Sequence, residues 1–244
     1  LMLVLLLETA VQGVEFLFYL GMAVALAAND KLTIPVVVRY IDWSVTTPLM
    51  LITLYFFLIY LDEKCTTLTE LKEKPHFAGF LALIVIFDWI MLAFGFIYEF
   101  NEWLLSSGEG RTRRSMGVLA RSWSIGLGRA RLSVRVLLSG FVPLIIAFVP
   151  HIYTIYHSDT PVNPVGFVFV SVTFVLWAIY GGVSIYWRND PEARNSAFNI
   201  LDLASKNAAG IVVSIVAARF DRDSCCAEVL VSISDLDFYS TTSC

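Results

Sequence analysis

The chain is short of charge. Only 16% of its 244 residues are Asp, Glu, Lys or Arg, against about 25% in an average soluble domain. A soluble protein of this size has too much surface to be covered by so few charges. Basic residues are in no excess either: the formal net charge is -4, with no global basic patch of the kind that binds nucleic acid. Cysteine is scarce. The four that exist, Cys65, Cys225, Cys226 and Cys244, fall in polar stretches and build no disulfide framework. They also share no metal-ligand spacing with His76, His151 and His157, so no metal site is expected. Free thiols are the plain reading. The Cys225-Cys226 pair, a few residues after an apolar segment, also suits S-palmitoylation. The start, LMLVLLLETA, lacks a basic n-region and a small-residue cleavage site, which argues against a secretory signal peptide. Beginning at Leu1, it reads as a chain whose start lies upstream. Strict apolar–polar alternation is absent as well, which disfavours a β-barrel.

What the chain has is apolar blocks. Hydrophobic residues make up 57% of it, and its mean hydropathy is +0.72. A bilayer core of about 30 Å needs about 20 apolar residues per helix. The blocks give six spans: 2–28, 34–60, 76–98, 136–156, 165–187 and 193–217. The expected protein is all-α, integral and multi-pass, with the lipid bilayer as its first partner and no enzymatic role. Polar connections with Pro, Asn and Asp separate the spans. One connection, 101–135, is far too long for a turn and holds seven arginines, from Arg111 to Arg135. It reads as a disordered or surface-lying loop, as a basic amphipathic helix on headgroups, or as an insertion foreign to the fold. The expected organisation is a transmembrane bundle over 1–218, interrupted by that insert, and a polar tail over 219–244.

A charge in mid-bilayer is costly, so intramembrane charges are functional suspects. They are Glu8, Glu15, Arg39, Asp42, Asp88, Asp202 and Lys206. Asp202 and Lys206 are four apart and share a helix face, as an ion pair would. A lysine in a dry pocket can also attack an aldehyde and form a Schiff base. Protonated, that group needs counterions; Asp202 is one, and Asp42 is the natural second. In the second span Arg39, Asp42, Thr46 and Thr53 fall within one helix face, which suits a proton or ion path. Pro48 removes one backbone hydrogen bond there, and threonine hydroxyls are expected to help satisfy the freed carbonyl. In the first span Glu8, Gln12, Glu15 and Tyr19 recur at i, i+4, i+7 and i+11 as one polar stripe. Two carboxylates on such a stripe suit a hydrated cation route.

RYIDWSVTTPL, together with the distant DLASK, resembles the microbial (type 1) rhodopsins. The resemblance implies a seven-helix bundle with all-trans retinal on Lys206 and with Asp42 and Asp202 as counterions beside Arg39. It implies a pocket walled by Trp43, Thr47, Trp177 and Tyr180, with Asp88 near the retinal ring. The likeness runs over 8–100 and 137–217, and the first span aligns with the family's second helix. Six helices are therefore expected, with the family's first one lacking. An outward pump of this family carries a carboxylate eleven residues after the counterion. Here that residue is Thr53, and Gly181 replaces the pump's proline after WAIY. The polar stripe of the first span and the SKN motif look closer to viral-type rhodopsins, several of which are light-gated cation channels. That likeness places Glu8, Gln12, Glu15, Thr46, Thr53, Asn199 and Asn207 along an ion path. A proton pump, a slow sensory rhodopsin and a degenerate chain without pigment stay open as alternatives. So do monomeric and homo-oligomeric states. Family precedent puts the insert outside the cell, which leaves ten Lys and Arg outside against five inside. The positive-inside rule prefers the reverse.

Overall fold

A computed structural model describes residues 2–28, 36–63, 71–72, 74, 76–106, 135–157, 164–187, 190–208, 210–212 and 214–215. Among these residues there are helices and turns and no strand. The helices are α1 (Met2–Ala28), α2 (Val36–Glu63), α3 (Phe77–Ser106), α4 (Phe141–Tyr156), α5 (Pro164–Tyr186) and α6 (Pro191–Asp202). A π-helical segment, Leu203–Ala208, continues α6. Helix is what the apolar blocks dictate, because lipid offers no partner to a backbone N–H or C=O. Five of the helices are long and apolar enough to cross a membrane.

Three boundaries differ from the sequence reading. Helix α3 runs on to Ser106, so the first residues of the arginine-rich stretch are helical. The fourth span is helical from Arg135 with a turn at Gly140. The sixth block is not one apolar α-helix: α6 gives way to π winding at Leu203. The rest of the insert, 107–134, and the tail from 216 lie outside the described residues, as do the three cysteines of the tail and Cys65.

Chain-neighbouring helices pack on one another in turn, and the π segment returns to α1. Helix α2 also meets α4 and α5, so it forms the centre of the bundle. Its span is 61% buried, against 11% for that of α3. This is why the polar residues of α2 can survive in an apolar chain: they face protein.

Pro48 sits inside α2. Having no N–H, it cannot bond the carbonyl four residues back, that of Ser44. Trp89 of α3 supplies the missing donor, its Nε1 lying 2.9 Å from Ser44 O. The expectation that threonine would do this is corrected. The Thr46 and Thr47 hydroxyls lie instead against the carbonyls of Asp42 and Trp43, at 3.0 and 2.7 Å. Away from Pro48, an aromatic cluster holds α2, α3 and α4 together through Tyr55, Phe77, Phe80 and Phe148. Buried His151 ties α4 to α2 by donating from Nε2 to Leu51 O at 2.9 Å.

Candidate functional site

The amine of Lys206 is the centre of the site. Lys206 is 2% exposed, and three carboxylates from three helices surround its Nζ. Asp42 Oδ2 of α2 is at 2.9 Å, Glu15 Oε1 of α1 at 3.1 Å and Asp202 Oδ1 of α6 at 3.7 Å. The i,i+4 pair expected within the last helix is therefore the longest of the three. The two shorter ones cross between helices. Glu15, placed by its stripe on an ion path, stands at the amine itself.

Asp202 is turned toward other partners. Its Oδ1 accepts from Trp43 Nε1 at 3.1 Å and from Tyr180 OH at 2.7 Å. Ser205 Oγ lies 3.0 Å from the same phenol. These bonds fix the planes of Trp43 and Tyr180, whose rings meet edge to face at 5.4 Å. Phe198 completes the group, stacked on Tyr180 at 5.7 Å. On the N-terminal side of this box Arg39 lies over Phe198 and donates from Nη1 to Asn195 Oδ1 at 3.0 Å. Arg39 is thus held by an amide and an aromatic face, and its Nη2 has no hydrogen-bond partner among the described residues. The N-terminus of α6 is fixed by Pro191 and by Asp190, whose side chain accepts from Ala193 N–H at 3.0 Å.

An apolar cavity opens on the amine. Trp43, Thr47, Met91, Leu92, Trp177 and Tyr180 line it, with Asp202 and Lys206 at one end. About 730 Å³ of space lies between its lining atoms, part of it open to the surroundings. Gly181 lets the Phe141 ring lie against α5, since a Cβ there would stand 2.7 Å from Phe141 Cζ. Asp88 is fully buried but does not line the cavity. Its Oδ2 lies 2.8 Å from Thr47 Oγ1, a hydroxyl that can give its one proton either to this carboxyl or to the Trp43 carbonyl, and Thr47 in turn lines the cavity.

The α1 stripe leads away from the amine. Gln12 Nε2 donates to Glu8 Oε1 at 2.9 Å and to the Lys206 carbonyl at 3.1 Å. On α2, Thr46 and Thr53 are buried, and each hydroxyl proton is given to its own helix. Asn199 and Asn207 are half-buried and outside this network. Sequence reasoning overlooked Tyr40, Ser205, Glu99, Arg194 and Asn195. Glu99, buried, lines the same cavity and accepts from Tyr40 OH at 3.3 Å. Only its position near the end of the third block hinted at it.

A helical membrane bundle with a buried amine, counter-charges around it and an aromatic cavity before it defines a protein that presents a lysine to a small-molecule cavity. The chain belongs to the bacteriorhodopsin-like family, whose model matches residues 2–220. Membership implies a retinal chromophore and the role of an integral-membrane photoreceptor or ion-transport rhodopsin. Curated proteins gave no match. The site fits the group by its chemistry: Lys206 lines an apolar, aromatic cavity, and carboxylates stand ready for a cation at its amine.

Proposed function

We propose that the protein is a light-gated cation channel, of the viral type, with all-trans retinal carried on Lys206. The observation that carries this reading is the place of Glu15. Its carboxylate lies 3.1 Å from Lys206 Nζ, so the polar stripe of α1 and the chromophore lysine make one network. Retinal, when bound, supplies the change of shape on absorbing light. The chain's own residues do the rest. At rest a positive charge at Nζ is clamped between Asp42 and Glu15, and a fixed cation in a polar stripe bars other cations. Passage of the Nζ proton to Asp42 Oδ2, 2.9 Å away, cancels both charges and frees Glu15. Glu15, Gln12 and Glu8 then offer oxygens to a hydrated cation. Thr46 and Thr53 face the route with lone pairs, and Asn199 and Asn207 extend it. Trp43, Thr47, Trp177 and Tyr180 hold the polyene, with Asp88 acting on it through Thr47. Residues 1–218 form this unit and 219–244 a tail.

A light-driven outward proton pump is the second reading. The short Asp42–Lys206 contact favours it, since it offers a direct acceptor. Thr53 weighs against it, because a hydroxyl holds no readily transferred proton at neutral pH. A slow sensor is the third reading, favoured by the same lack of an internal donor. Voltage clamp under light separates them. A channel gives a photocurrent whose sign reverses with voltage and whose reversal potential follows the cation gradient. A current of one sign at every voltage would make the protein a pump, and no current would leave a sensor.

A further inference from the structure

One seam of the bundle is made by polar groups. Where α1 meets the π segment, the Gln12 amide nitrogen has two N–H bonds to give, and both are used. One goes to Glu8 Oε1 and the other to the main-chain carbonyl of Lys206. That carbonyl lies inside the π winding, where the ordinary bonding pattern is displaced and carbonyls take outside donors. Glu8 is buried and fills the space beside Gly210, where a Cβ would overlap Glu8 Oε1 and stand 2.9 Å from Gln12 Nε2. Any other residue at 210 would unseat the carboxylate. The seam is therefore closed by Glu8, and Glu8 is oriented by an amide anchored on the lysine's own backbone.

We propose that Gln12 is a positioning residue that couples Lys206 to Glu8. Displacement of the Lys206 main chain releases the Gln12 amide, which in turn releases the Glu8 carboxylate from its seat at Gly210. The geometry suits a release. At 3.1 Å the Gln12–Lys206 bond is toward the long end of the N–H···O range, and about 0.5 Å more breaks it. The bond to Glu8 is shorter, so the link parts first at the lysine. The inference rests on the reading that Lys206 carries retinal and that cations pass Glu8.

Gln12 is the only glutamine in the chain, so isotope-labelled glutamine reports on it alone. The experiment is light-minus-dark infrared spectroscopy of the pigment formed with all-trans retinal, with ¹³C at the glutamine side-chain carbonyl. Two results are expected: a difference band that moves with the label, and a Glu8 carboxyl band, identified by its loss in Glu8→Gln, rising with the same time course. In Gln12→Met, whose visible band shows that pigment has formed, the Glu8 band is lost. A label that moves no band overturns the proposal, as does a Glu8 band unchanged in Gln12→Met. If Gln12→Met forms no pigment, the labelled parent protein still decides. Both bands present without a reversing photocurrent would uphold the link and overturn the channel reading alone.

Discussion

At the scale of residues, the account turns on charge around one amine. Three carboxylates face Lys206, and the nearest further cation on α2 is Arg39, which pairs with Asn195. At an effective dielectric near 20, unit charges about 3 Å apart attract by about 5 kcal/mol, so Asp42 and Glu15 carry comparable weight. A negative charge beside the amine holds the chromophore's positive charge there, and removing it shifts absorption to longer wavelength. Asp42→Asn and Glu15→Gln should both give red-shifted pigments, and Asp202→Asn a smaller shift. An unshifted Glu15→Gln maximum would remove Glu15 from the centre. Asp202→Asn should instead weaken the pigment, because Trp43 and Tyr180 lose a charged acceptor worth about 1.5–3 kcal/mol per bond. Thermal bleaching of the variant measures that loss. Lys206, Asp42 and Asp202 were legible in the sequence because mid-membrane charge is so rare. The place of Glu15 was not, since helical spacing gives its stripe but not the helix that the stripe meets.

At the scale of elements, α2 shows how a proline is kept inside a membrane helix. Its spacing told that one carbonyl would go without a partner. It did not tell that the donor comes from another helix, because Trp89 is 45 residues away in sequence. Trp89→Phe should therefore destabilise the bundle by about 1–3 kcal/mol, the cost of one orphaned polar group. Adding Pro48→Ala restores an N–H for Ser44 and should recover most of that loss. Melting of the four proteins of this double-mutant cycle tests it. Additive losses would mean that Trp89 acts by packing alone. The sixth block departs furthest from its sequence reading. Asp202 and Lys206 were legible as one helix face and Asn199 and Asn207 through the family likeness, whereas Arg194 and Asn195 were not. The π winding at Leu203–Ala208 was not, since no residue type within LASKNA prescribes it. Its main chain is held in part from outside, by Gln12.

At the scale of the whole molecule, apolar length alone gave five of the helices and their order. A run of 20 or more apolar residues has only one way to satisfy its backbone in lipid. What length could not give is which helix sits in the middle. Helix α2 takes that place, and it is the helix with the most polar residues facing protein. The bundle thus gathers residues from α1, α2, α5 and α6 around one lysine and opens an aromatic cavity onto it. The most direct test of this account adds all-trans retinal to the membrane-embedded protein and to Lys206→Ala, and records visible absorption. The account predicts a visible band in the parent protein that bleaches in light and is absent from Lys206→Ala. A parent protein that stays colourless, or a Lys206→Ala variant with the same band, would contradict it.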